Sequence, residues 1–148
     1  MPDPDHSSDR SPERAPDARR WTPVALAAGV PAPKGAYSPG VRAGDLLFVS
    51  GQVPRDPRTG ALVGEGDVAA QTRQTLANLK GVLAAAGAGL PDVVSVAVHL
   101  ARVDDWAAFD AVYREVMPRP WPTRTVVGAE LRGILVEVTA VAYLGGGR

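Results

Sequence analysis

The stretch Asp67-Val-Ala-Ala-Gln-Thr-Arg-Gln-Thr-Leu-Ala-Asn-Leu-Lys-Gly-Val-Leu-Ala-Ala-Ala-Gly87, followed by Asp92-Val-Val-Ser-Val-Ala-Val-His-Leu-Ala-Arg-Val103, decides the fold. Val68, Thr72, Leu76, Leu79 and Leu83 recur every three or four residues, which draws one apolar stripe along a helix. Asp67 supplies an N-cap acceptor and Gly87 a stop, so the helix is expected to run to about residue 86. The valine-rich run after it reads as a strand buried on both faces, and the helix stripe must lie on the sheet to which that strand belongs. Upstream, residues 24–27 read as a short strand, 35–40 as a turn cluster, 46–50 as a buried strand and 56–60 as a tight turn. Downstream, Asp104 or Asp105 is expected to cap a second helix through Trp106, Phe109, Val112 and Tyr113 to Met117, stopped by Pro118 and Pro120. Trp106 and Phe109 read as core residues of that helix. Residues 123–127 and 134–144 are the closing strands. This order predicts an α+β domain, a mixed sheet with both helices on one face. The other face, taken to be lined by Val136, Val138 and Ala140, is expected to be buried between subunits of a homo-oligomer.

Composition narrows the functions. The 148 residues carry 16 basic and 16 acidic side chains, and only two of the basic ones are lysines, Lys34 and Lys80. A balanced, scattered charge gives no footprint for nucleic acid or for an anionic membrane. The chain has no cysteine, which removes disulfides, thiolate nucleophiles and Cys-ligated metal; two histidines, His6 and His99, make no metal site either. Residues 1–20 hold almost no large apolar side chain and are expected to form a solvated tail ahead of one domain at 21–148. Arg19-Arg20 precede an apolar stretch that Pro31 cuts short, so no export signal is read there and a cytoplasmic location is expected.

Two charges stand inside strands: Arg124 in Pro122-Thr-Arg-Thr-Val-Val127 and Glu137 in Leu135-Val-Glu-Val138. A buried ion without a partner costs several kcal/mol, so each needs one. The planar fork of an arginine fits a carboxylate through two parallel hydrogen bonds. That carboxylate is either Glu137 or part of a small substrate. Ser50, in Val-Ser-Gly-Gln, does not form a nucleophile elbow and has no evident base.

Several motifs together resemble the RidA/YjgF family of enamine/imine deaminases. They are Gly35-Ala-Tyr-Ser-Pro39, Leu47-Phe-Val-Ser-Gly-Gln-Val-Pro54, Gln71-Thr-Arg-Gln-Thr-Leu-Ala-Asn-Leu-Lys80, Asp92-Val-Val94, Phe109-Asp-Ala-Val-Tyr113, Pro122-Thr-Arg-Thr125 and Val136-Glu-Val138, in order between Pro31 and Tyr143. The resemblance implies a chorismate-mutase-like fold, a homotrimer with sites in clefts between subunits, and hydrolysis of 2-imino or 2-enamino acids to 2-keto acids and ammonia, without cofactor or metal. It gives Arg124 the substrate carboxylate, Glu137 the attacking water, and Tyr37 and Ser50 the pocket walls.

Departures from that pattern bear on the substrate. Asp110 stands where many members carry a substrate-binding asparagine, Val126 replaces a residue that is often small or polar, and the segment from Arg124 to Glu137 is shortened, with Leu131-Arg where Leu-Pro is common. A carboxylate at Asp110 repels a substrate carboxylate unless it is protonated or turned away. Three other functions therefore stay open: a non-catalytic trimer that binds small carboxylates, an enzyme of a specialised pathway acting on another imine or enamine, and, with least support from charge, an endoribonuclease.

Overall fold

The computed structural model describes residues 19–146; the expected tail lies almost wholly outside them. A six-stranded sheet is built from β1 (Thr22–Pro23), β2 (Gly40–Ala43), β3 (Leu46–Gln52), β4 (Val93–Leu100), β5 (Thr123–Gly128) and β6 (Val136–Tyr143), in the order β1-β2-β3-β6-β4-β5. β4 and β5 are parallel and every other pair is antiparallel. A parallel pair needs a long crossover, and α2 (Trp106–Val116) provides it. The other helix, α1 (Val68–Ala85), leads from β3 to β4.

Local signals account for the helices. The Asp67 carboxylate accepts from the Ala70 amide at 3.1 Å, and Gly87, at φ +75°, ends α1 while Ala88 donates back to the Leu83 carbonyl. Asp105 is the N-cap residue of α2 but makes no capping bond; its carboxylate takes Arg102 instead, at 3.0 and 3.2 Å. Leu76, Leu79 and Leu83 of α1 and Phe109 of α2 are at most 0% exposed and join Leu47, Val49, Val96 and Val98 of the sheet in one core. Each such side chain contributes about 1.5–3 kcal/mol by leaving water. Both helices thus cover the same face.

The structure reverses which strand residues face outward. Val136 and Val138 are fully buried and Ala140 nearly so, all within the helix-covered core. Glu137, Thr139 and Val141 occupy the open face, beside Phe48, Val127 and Tyr143, which are 46%, 46% and 50% exposed. Alternation separates the two sets, and the uniformly apolar one takes the helices. β4 is likewise one-sided in this chain: Val96, Val98 and Leu100 are buried, while Ser95, Ala97 and His99 are half-buried on the open face. The short N-terminal strand falls at Thr22–Pro23 and not at 24–27, where Val24 still donates to the Gly40 carbonyl at 2.8 Å. The expected turn cluster runs straight into β2, which begins at Gly40.

Candidate active site

Arg124 lies on β5 with its side chain toward α2. Three rings of that helix surround its guanidinium: Tyr113 at 4.5 Å, Trp106 at 5.6 Å and Phe109 at 5.7 Å from carbon to centroid. Their helical spacing puts all three on one side of α2. Phe109 is core, as expected, whereas Trp106 is 43% exposed and serves as a wall for the arginine.

The partner of Arg124 is neither Glu137 nor empty space. Its Nη1 donates to Asp110 Oδ1 at 2.8 Å, and Arg114, one turn further along α2, donates from Nε to Asp110 Oδ2 at 2.6 Å. The Arg114 hydrogen bond, and after it that of Arg124, holds the Asp110 carboxyl below the ordinary range against the opposing effect of burial. Asp110 is therefore ionised at neutral pH. Two guanidiniums share one carboxylate, so the group keeps a surplus positive charge and the feared repulsion of a substrate carboxylate is offset. A cavity of about 270 Å³ opens here, lined by Asp110, Tyr113, Arg114, Trp121, Pro122 and Arg124. Burial raises the pKa of the Tyr113 phenol, whose oxygen has no partner among the described residues.

Glu137 stands on the open face of β6. Its carboxylate leans over Gly51 of β3, filling the space that a side chain at position 51 would take. β3 and β6 shift register between Val49 and Gln52, and buried Gln52 ties this irregularity by donating to the Ser50 carbonyl at 3.0 Å. Glu137 lines a cavity of about 360 Å³ with Val53, Arg55 and the 130–134 segment. Val53 and Arg55 also line an adjoining cavity of about 460 Å³, together with Gly51 and Tyr37. The Tyr37 oxygen accepts from the Lys34 amide at 3.3 Å. Ser50 donates its hydroxyl to the Ser38 carbonyl at 2.6 Å, fastening β3 to the Tyr37 loop.

Of the residues singled out from the sequence, Arg124 and Asp110 come together, and Glu137, Tyr37 and Ser50 gather around Gly51 and Arg55. The two groups lie on opposite faces of the sheet. Sequence reading missed Arg114, Trp121 and Gly51. The four-residue spacing of Asp110 and Arg114 was a usable sign for the first; nothing local links Gly51 to Glu137. Among the described residues no three His, Asp or Glu side chains converge on a metal-sized site, and no helix is long and apolar enough to cross a membrane.

Comparison with known proteins agrees with this architecture. The family model described as Endoribonuclease L-PSP matches residues 28–144. A RutC family protein of Pyrococcus horikoshii is 41% identical over 122 residues, covering 81% of this chain and 96% of the relative. The crystal structure of RidA from the Antarctic bacterium Psychrobacter sp. superposes with a TM-score of 0.77 at 33% identity, over 82% of this chain and 99% of that one. TdcF of E. coli, crystallised with bound serine, gives 0.75 at 29% identity, over 82% and 98%. The chain belongs to the Ribonuc_L-PSP family, that of the YjgF, RidA and RutC proteins.

Proposed function

We propose that the protein hydrolyses reactive 2-imino and 2-enamino acids to 2-keto acids and ammonia, in clefts formed between the subunits of a homotrimer. The observation that carries this is the Arg124 guanidinium, 20% exposed at the side chain, in a small aromatic-walled cavity where only Nη1 is taken up by a carboxylate. The rest of its fork is directed to the carboxylate of a small acid, and the surplus charge of the Arg114–Asp110–Arg124 group favours that anion. The serine bound to TdcF supports a ligand of amino-acid size.

The chemistry asks little of the protein. The imine carbon is planar and already electrophilic, so orientation and proton handling suffice. Water held by Glu137 attacks this carbon; the C=N π electrons move to nitrogen, and the water proton passes to the carboxylate. That proton passes to the nitrogen and gives the carbinolamine. The carboxylate then relays the carbinolamine's hydroxyl proton to the nitrogen, the C=O bond of the keto acid forms as the C–N bond breaks, and ammonia leaves. No cofactor takes part in these steps. Because the sheet separates Arg124 from Glu137 within one chain, the reading requires the Glu137 face of a neighbouring subunit beside Arg124. The exposed Phe48, Val127 and Tyr143 of the open face are suited to such packing.

The test generates iminopropanoate or iminobutanoate with an amino-acid oxidase or dehydratase and follows keto-acid release. Wild type should exceed buffer, with Arg124→Ala reduced at least about tenfold, a barrier change of roughly 1.4 kcal/mol. Equal rates for wild type, Arg124→Ala and buffer would reject the reading. The pairing of Arg124 with Asp110 favours a second one, a trimer that binds small carboxylates without turnover. Calorimetric binding of a keto acid with no imine hydrolysis would select it. RNA cleavage, named in the family description, has the weaker support of a chain with zero net charge.

A further inference from the structure

The cavity over Arg124 carries more positive charge than one carboxylate ligand can use. Arg114 and Arg124 both contact Asp110, which balances one of them. Arg119 adds another charge: its guanidinium carbon lies 4.2 Å from the centroid of the Trp121 ring, which also holds Arg114 at 5.1 Å. Among the described residues Arg119 has no carboxylate within ion-pair distance. Glu115, the next acid along α2, is taken by Arg73 at 2.6 Å. Two guanidiniums thus share one carboxylate and two share one indole, with Arg114 common to both, in a chain whose total charge is zero.

We infer that the site selects a dicarboxylic substrate: a 2-imino acid with a second carboxylate on its side chain, such as oxidation of an acidic amino acid produces. This rests on the reading of Arg124 as the clamp for the first carboxylate. With that carboxylate on Arg124, Arg114 lines the cavity beside Trp121, and Arg119 lies just behind it against the same ring. An arginine held against an indole keeps its planar fork oriented while its N–H groups stay available at the edge. The apolar lining of Tyr113, Pro122 and the free edge of Trp121 packs the methylenes between the two acid groups, and Arg114, with the added charge of Arg119, receives the distal carboxylate. A monocarboxylate leaves that charge unsatisfied, so discrimination comes from the second anion.

The experiment measures binding of 2-oxoglutarate and 2-oxobutanoate to the full chain by calorimetry at low and moderate salt. Wild type should prefer the dicarboxylate by about tenfold or more, with the steeper salt dependence for it. Arg114→Gln with Arg119→Gln should remove most of this preference, while Arg114→Lys with Arg119→Lys, which keeps the charge and checks that the fold survives, should retain part of it. Equal affinity of wild type for both acids, or a preference unchanged in the double glutamine variant, overturns the inference. If the preference is found but no imine is hydrolysed, the deaminase reading fails and the dicarboxylate selectivity stands.

Discussion

Arg124 and Glu137 stand on opposite faces of one sheet. On the central strand β4, Arg124 is in register with Val96 and Glu137 with His99. Three residues is an odd interval, and side chains alternate along a strand, so the helix-covered face holds the arginine and the open face the glutamate. A catalyst that uses both on one substrate must take them from two chains.

Mixed assembly tests this directly. Arg124→Ala and Glu137→Ala subunits, each strongly impaired alone, should regain activity when co-expressed. Random assembly of a ring with intersubunit sites pairs an intact Arg124 with an intact Glu137 in about a quarter of the sites. A mixture no more active than either parent would mean that the two residues do not share a site across subunits.

Gly51 keeps the place of Glu137. A Cβ there would lie 2.9 Å from the Glu137 carboxyl carbon and closer still to one of its oxygens, so Gly51→Ala must push the carboxylate aside. The expected result is a kcat at least about tenfold lower with KM little changed, since water positioning is lost and the carboxylate clamp is not. Unchanged kcat in Gly51→Ala would separate Glu137 from the chemistry.

The parts of this architecture that were legible in the sequence depend on local signals. Asp67, the leucine stripe and Gly87 fixed α1 because a cap, a period and a stop lie within one segment. Choosing between the two faces of β6 needed knowledge of where the helices lie, and the alternation Val136, Val138, Ala140 against Glu137, Thr139, Val141 is consistent with either. Asp110 read as a threat to substrate binding because its compensation by Arg114 and Arg124 is a tertiary fact. The α1 stripe also concealed buried polar neighbours, Gln71, Thr75 and Asn78. Asn78 donates to the Val53 and Arg55 carbonyls at 2.9 and 2.7 Å, holding the loop between the Tyr37 and Glu137 cavities. Amides at 71 and 78, two turns apart, were the available sign.

Asp110 should make stability sensitive to acid. Its folded carboxyl titrates below the ordinary value of 3.8, first through the Arg114 hydrogen bond and then through Arg124. A depressed carboxyl pKa contributes stability that is fully present above the unfolded value and is lost as pH falls through the folded one. The stability difference between wild type and Asp110→Asn should therefore be constant from neutral pH to about pH 5 and shrink on the acid side of about pH 4. Chemical denaturation at a series of pH values measures it; a difference independent of pH down to the acid limit would show that the ion pairs add nothing.

Gln71 links α1 to the start of the strand that carries Glu137. It is 1% exposed; its Oε1 accepts from the Leu135 amide at 2.7 Å and its Nε2 donates to the Gly64 carbonyl at 3.0 Å. Leucine has nearly the same volume, so Gln71→Leu leaves little cavity but strands two backbone groups. Each unmade bond costs about 1–3 kcal/mol, which for the two predicts a loss of roughly 2–6 kcal/mol in unfolding free energy. Leu135 lies two residues before Glu137, so kcat should fall as well. If the leucine variant unfolds at the wild-type denaturant midpoint, the Leu135 amide has found another acceptor and Gln71 does not fix the entry of β6.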